Sequence, residues 1–128
     1  MKKNLVIVLL LCFSLNPWAS RAGDIGGARV VTPTPGSTVT ITISTDARHT
    51  IATWTAAEAE TVNVSGTPLD GATMTWIIVN DATLGRVITL GTGTLGIGIV
   101  TGIISKKSTI AFVAYGGTFH ETGRAVGL

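Results

Sequence analysis

The run GTGTLG at residues 91–96 follows the strand-like RVITL and matches G-x-G-x-x-G letter for letter. In a dinucleotide site that spacing works because the last glycine opens a helix whose N-terminal amides hold a pyrophosphate. An acid about 20 residues further on then takes the ribose. Here the next eight residues, IGIVTGII, carry two glycines and five β-branched apolar side chains. Each glycine in a helix costs about 1 kcal/mol relative to alanine. The first acid after Gly96 is Glu121, beside an expected hairpin. The motif therefore reads as a sheet segment, in which glycine marks a bulge or a close backbone approach, and no cofactor is expected.

The remaining reactive residue types are sparse. His49 and His120 stand 71 positions apart, and a metal site would need them together with a carboxylate such as Glu121; no metal is expected, by the ligand count such a site requires. Asp46, Asp70 and Asp81 all sit beside turn signals, where a short acidic side chain bonds its own backbone. Glu58 and Glu60 would share a face on a strand, as an acid pair for glycoside hydrolysis, but diverge on a helical turn. No G-x-S-x-G stretch anchors serine chemistry. No catalytic residue is expected, and the chain is read as a non-enzyme. Trp54 and Tyr115 alternate with small or polar neighbours and, with His120, are the candidates for surface or glycan contact. Core or inter-subunit packing is the competing role for such aromatics, and Trp76, ahead of Ile77-Ile78-Val79, is expected in the core.

These residues must be positioned by strands. Beyond residue 22 the chain holds 21 threonines with abundant Val, Ile and Gly, a composition that favours sheet. TVTITIST at residues 38–45 alternates apolar and polar positions, as a strand with one buried face does. Further strands are expected over residues 49–55, 61–64, 73–79, 86–90, 97–100 and 109–115, and Gly116-Gly117 can close a tight hairpin onto residues 118–121. TMTWIIV is apolar on both faces from Trp76 onward, the mark of a central strand. Thr55-Ala-Ala-Glu58 fits a capping box, so residues 56–60 are expected to form one helical turn. The fold class is all-β: a small antiparallel β-sandwich or barrel of about seven to nine short strands.

Residues 1–22 read as a secretory signal peptide: a basic start, an apolar run at residues 5–15, and small residues at Ser20 and Ala22. Residues 23–37, with two prolines and four glycines over 23–36, read as a linker or extended arm, and residues 38–128 as the β domain. Past the leader, six basic residues face seven acids, a net charge of −1, and cysteine is absent. Nucleic acid is thereby excluded as an expected partner, and neither disulfides nor thiolate metal sites are available. Residues 87–105 are uncharged over 19 positions and contain a G-x-x-x-G pattern, which raises a transmembrane helix as an alternative. Five glycines and the two-residue period of Ile97 and Ile99 argue for strand, so no stable membrane insertion is expected once the leader is removed.

WIIVNDATLGRVITLGTG, followed by ISKKSTIAFVAYGGTFHE, resembles a β domain that recurs in bacteriophage fibre and other virion appendage proteins. In that family a hydrophobic strand ends in a polar N/Q-D-A/G-T loop, an arginine leads an aliphatic strand, and a final hairpin closes the unit. The resemblance covers about residues 50–121. It implies a non-catalytic structural or receptor-contacting module, commonly trimeric. Virion proteins need no export leader, so residues 1–22 depart from the pattern and point equally to a secreted, periplasmic or cell-surface setting. The expected function is contact with a surface, glycan or protein receptor by a homo-oligomer, with a trimer favoured; a secreted carbohydrate-binding module is the alternative.

Overall fold

The computed structural model describes residues 28–128. The expected leader and the first five residues of the expected arm lie outside them. Ten strands build two sheets, and the described residues contain no helix. Sheet A has the spatial order β1 (Arg29–Val31), β3 (His49–Ala56), β5 (Thr73–Asn80), β9 (Lys107–Tyr115), β10 (Thr118–Val126) and β7 (Thr94–Leu95). Sheet B has the order β2 (Thr38–Thr42), β4 (Glu60–Ser65), β6 (Val87–Leu90) and β8 (Ile99–Thr101).

The all-β expectation holds, but the antiparallel sandwich or barrel gives way to a solenoid-like coil. From β1 to β8 the chain alternates strictly between the sheets, and from β3 onward each strand except β7 returns beside the one two earlier; β7 instead joins the far edge of sheet A beside β10. The β1–β3, β3–β5, β2–β4 and β4–β6 ladders are consequently parallel. One turn takes 21 residues from Arg29 to Thr50, 24 from His49 to Thr73 and 28 from Glu60 to Ile88. Antiparallel pairing enters only with β5–β9, β9–β10 and β6–β8.

Period-two patterning makes this arrangement possible. In β2 the apolar Val39 and Ile41 turn inward while three threonines face out, and β3, β4 and β5 keep the same alternation. β5 lies between β3 and β9, as its two apolar faces led us to expect. Within the expected arm, Arg29–Val31 joins the edge of sheet A as β1. No helical turn forms at residues 56–60. Ala56 still pairs with Asn80, and Glu60 already pairs with Ile88, so the chain must change sheets within three residues, too few to close a turn of helix. Residues 87–105 are β6, β7, β8 and their turns rather than a membrane helix. Among the described residues no helix is long and apolar enough to cross a membrane.

The core fills the space between the sheets. Sheet A contributes Trp54, Met74, Trp76, Ile78, Ile110 and Phe112, and sheet B contributes Val39, Ile41, Val62, Ile88 and Val100. Trp76 is its centre, with ring centroids 4.7 Å from Phe112 and 6.0 Å from Trp54 in an edge-on contact. Its indole N–H reaches the Met74 sulfur at 3.3 Å, a weak acceptor in an otherwise apolar setting. Truncating Trp76 to alanine removes the largest fully buried side chain and is expected to cost about 3–5 kcal/mol, read as a lower midpoint in chemical denaturation with the slope unchanged.

Candidate functional site

The glycine motif sits at a corner. Gly91 donates its N–H to Val62 O at 2.8 Å, and Val64 N–H donates to Thr92 O at 2.8 Å, so β6 continues beside β4 before the chain crosses to sheet A as β7. Gly93 has φ +80°, and a Cβ there would lie 2.5 Å from Val64 O; at Gly96 a Cβ would run into the Glu121 carboxylate. These positions are glycine because a neighbouring strand occupies the space a side chain needs.

Glu121 and Arg124 fasten this corner. The guanidinium donates to both carboxylate oxygens, at 2.5 and 2.6 Å, and also to the carbonyls of Ile99 and Ile97, at 3.0 and 3.2 Å. The second carboxylate oxygen takes the Ile97 N–H at 3.0 Å. The Arg124 hydrogen bond holds the Glu121 carboxyl below the ordinary range. Arg124 was not singled out from sequence; its placement three residues after Glu121 was the available signal.

The NDATLGR stretch forms a second clasp. Asp81 accepts N–H groups from Thr83 and Leu84 with one oxygen, an Asx turn. Its other oxygen takes the Arg86 guanidinium at 2.5 Å, which closes the loop on itself. Buried Asn80 receives the Arg86 N–H and donates to Lys106 O, which ties the β5–β6 crossing to the turn before β9. The Arg86 hydrogen bond, aided by the Leu84 amide, lowers Asp81 from 3.8 to about 2.

The remaining candidates separate. Glu58 and Glu60 form no acid pair: Glu58 is exposed at a bend, while Glu60 is 2% exposed and turned into the core. There it accepts the Trp54 indole N–H at 2.6 Å, and its other oxygen has no partner. Burial pushes the Glu60 carboxyl above its ordinary range, opposed by that indole bond. Trp54 is therefore withdrawn from the contact candidates: at 4% exposure it packs against Trp76 and binds Glu60 instead of presenting a ring to solvent. His49 and His120 share one cross-strand row through Thr73 and Val113. Three strand spacings, roughly 14 Å, separate them, too far for one metal ion. His49 instead bonds the Thr73 hydroxyl.

Tyr115 is the one large aromatic the described fold leaves open, at 72% exposure. It ends β9, immediately before the Gly116-Gly117 turn, and its ring meets His120 edge-on at a centroid distance of 6.3 Å. Both glycines have positive φ, and Asp70 accepts the Gly116 N–H at 2.9 Å, so the Pro68–Gly71 turn braces the hairpin tip. Tyr115 and His120 thus form a small polar-aromatic platform on a fixed turn. No protein-family model and no curated protein matches this chain.

Two pH effects follow. Asp81 is depressed in the folded state, so its clasp contributes stability that is complete above about 3.8 and is lost as pH falls toward about 2. Asp81→Asn should remove that part of the acid dependence in denaturation curves collected between those values. Glu60 is raised, so its contribution is present at acid pH and lost as pH rises through its folded value. The stability of the wild type relative to Glu60→Gln should therefore fall between acid and neutral pH, whereas a flat difference would show that folding leaves the proton affinity of this carboxyl unchanged.

Proposed function

We propose that this chain is a non-enzymatic structural or surface-contact module, fibre-like or appendage-like, that acts through self-assembly and through binding to a receptor or surface. The supporting observation is how its polar chemistry is deployed. Asp81 with Arg86, Glu121 with Arg124, and Asp70 on Gly116 each hold a corner or turn. The outward positions of the strands are threonine, valine, isoleucine and alanine for the most part. Rigid sheets whose loops are fixed by internal ion pairs make a platform for contact. The resemblance of the NDAT loop and closing hairpin to virion appendage domains points the same way. A secreted, periplasmic, cell-surface or virion-surface setting suits such a module.

The second reading, a carbohydrate-binding module, is favoured by one observation, the exposed Tyr115 ring beside His120. Aromatic rings of this kind stack on sugar faces while a polar neighbour fixes orientation. The purified chain, incubated with generic ester, glycoside and peptide substrates, should show no turnover; catalysis above the buffer rate that tracks the protein through purification would end the contact reading. Retention on a polysaccharide column that Tyr115→Ala abolishes would move the assignment to sugar binding.

A further inference from the structure

We infer that the outer face of sheet A is the surface on which a second copy of this chain docks, an inference that rests on the contact reading above and says where contact is made. Residues paired across adjacent strands project to the same side, so register maps the face. One row runs Val30, Ile51, Thr75, Ala111 and Gly123 across five strands. The next runs Thr53, Ile77, Thr109 and Ala125. Neither row holds a charge, and most of these side chains are partly exposed. Ionisable groups stand only at the margins, His49 and His120 in the row on one side and Lys107 beside Val79 on the other.

Sheet B provides an internal comparison. Over β2 and β4 its outer face pairs Thr38 with Thr61, Thr40 with Asn63 and Thr42 with Ser65, a hydroxyl and amide surface, while β6 and β8 add Thr89 opposite Ile99 and Val87 opposite Thr101. The wholly polar stretch over β2 and β4 has no counterpart in the two central rows of sheet A. Sheet A is mixed, parallel at β1–β3, β3–β5 and β10–β7 and antiparallel at β5–β9 and β9–β10. The open face of an antiparallel sheet ordinarily alternates to polar, whereas Ile51, Ile77, Ala111 and Ala125 stand among the threonines of this one. An apolar centre with a polar margin is also the anatomy of a protein interface.

A second copy fits this face for three reasons. With no charge in its central rows, the face can meet its own image without burying an ion or opposing like charges. Sheets of the same twist stack in near alignment about 10 Å apart. The four long strands β3, β5, β9 and β10 have eight or nine residues each, which at about 4.8 Å between strands and about 3.3 Å per residue gives roughly 500 Å² per copy. Two copies together bury about 1,000 Å², the lower bound for a specific contact.

Sedimentation velocity of the purified chain tests this, with far-ultraviolet circular dichroism as the check on folding. The wild type should associate, while Ile77→Lys and Thr109→Glu, adjacent on the face, should each weaken association at least tenfold and sediment as folded monomers. Mixing these two variants should restore a complex, because opposite charges then meet, whereas Thr61→Lys on the outside of sheet B should behave as wild type. The inference is overturned if the wild type remains monomeric at about 100 µM. It is equally overturned if association survives both face variants but is lost in Ile99→Lys at the β8 edge, or if removal of residues 1–27 is what uncovers the face. A monomeric wild type would also remove self-assembly from the contact reading and leave receptor or surface binding; the other results leave that reading whole, since it falls on turnover instead.

Discussion

A parallel pair of strands cannot be joined by a hairpin, because the chain must travel back to the end at which it started. In most proteins a helix makes that return. Here a strand of the opposite sheet does: β2 carries the chain from β1 to β3, and β4 carries it from β3 to β5. Two sheets, a single core between them and short corners at both sides are consequences of that one solution. Trp76, Phe112 and Trp54 occupy the space where the rungs stack, so the coil and its core define each other.

Short corners leave backbone groups that neither sheet can satisfy, and a buried unpaired amide or carbonyl costs as much as a lost hydrogen bond. The chain meets this locally with side chains. Asn80 and Asp81 receive four backbone or side-chain donors around the β5–β6 crossing, and the Glu121–Arg124 pair answers an amide and two carbonyls between β7 and β8. The polar loop over residues 80–86 therefore has a mechanical reason: it is how a β chain turns without a helix. The Trp54–Glu60 pair departs from this economy, with a carboxyl taken into the core and one of its oxygens left without a partner, as are the buried Arg86 Nε and Ser108 Oγ.

Strand positions and the exposed turn chemistry were readable because they depend on neighbours in the chain. The two-residue period of TVTIT, the double-sided apolarity of TMTWIIV and the Gly-Gly hairpin all act over a few residues, and all lie where expected. The pairing of Asp81 with Arg86 was legible for the same reason, at a separation of five. Trp54 was not: its alternation with threonine and alanine is the same whether the ring faces solvent or core, and only Glu60 and Trp76 on neighbouring strands decide the matter. The coil itself escaped detection because its turns take 21, 24 and 28 residues, so no fixed repeat marks it.

By itself, then, the sequence determined that the chain is extended nearly throughout, which side chains alternate across each strand, and that glycine at residues 91–96 is not a nucleotide loop, since these follow from local stereochemistry and period. Tertiary structure alone decided that the ladders are mostly parallel, that Glu60 and Trp54 meet inside, and that Ile51 and Ile77 share the outer face of sheet A with threonines. The physical reason is that a strand's two faces are symmetric in the pattern, and only the choice of partner strand and its direction determines which face meets the core and which meets water.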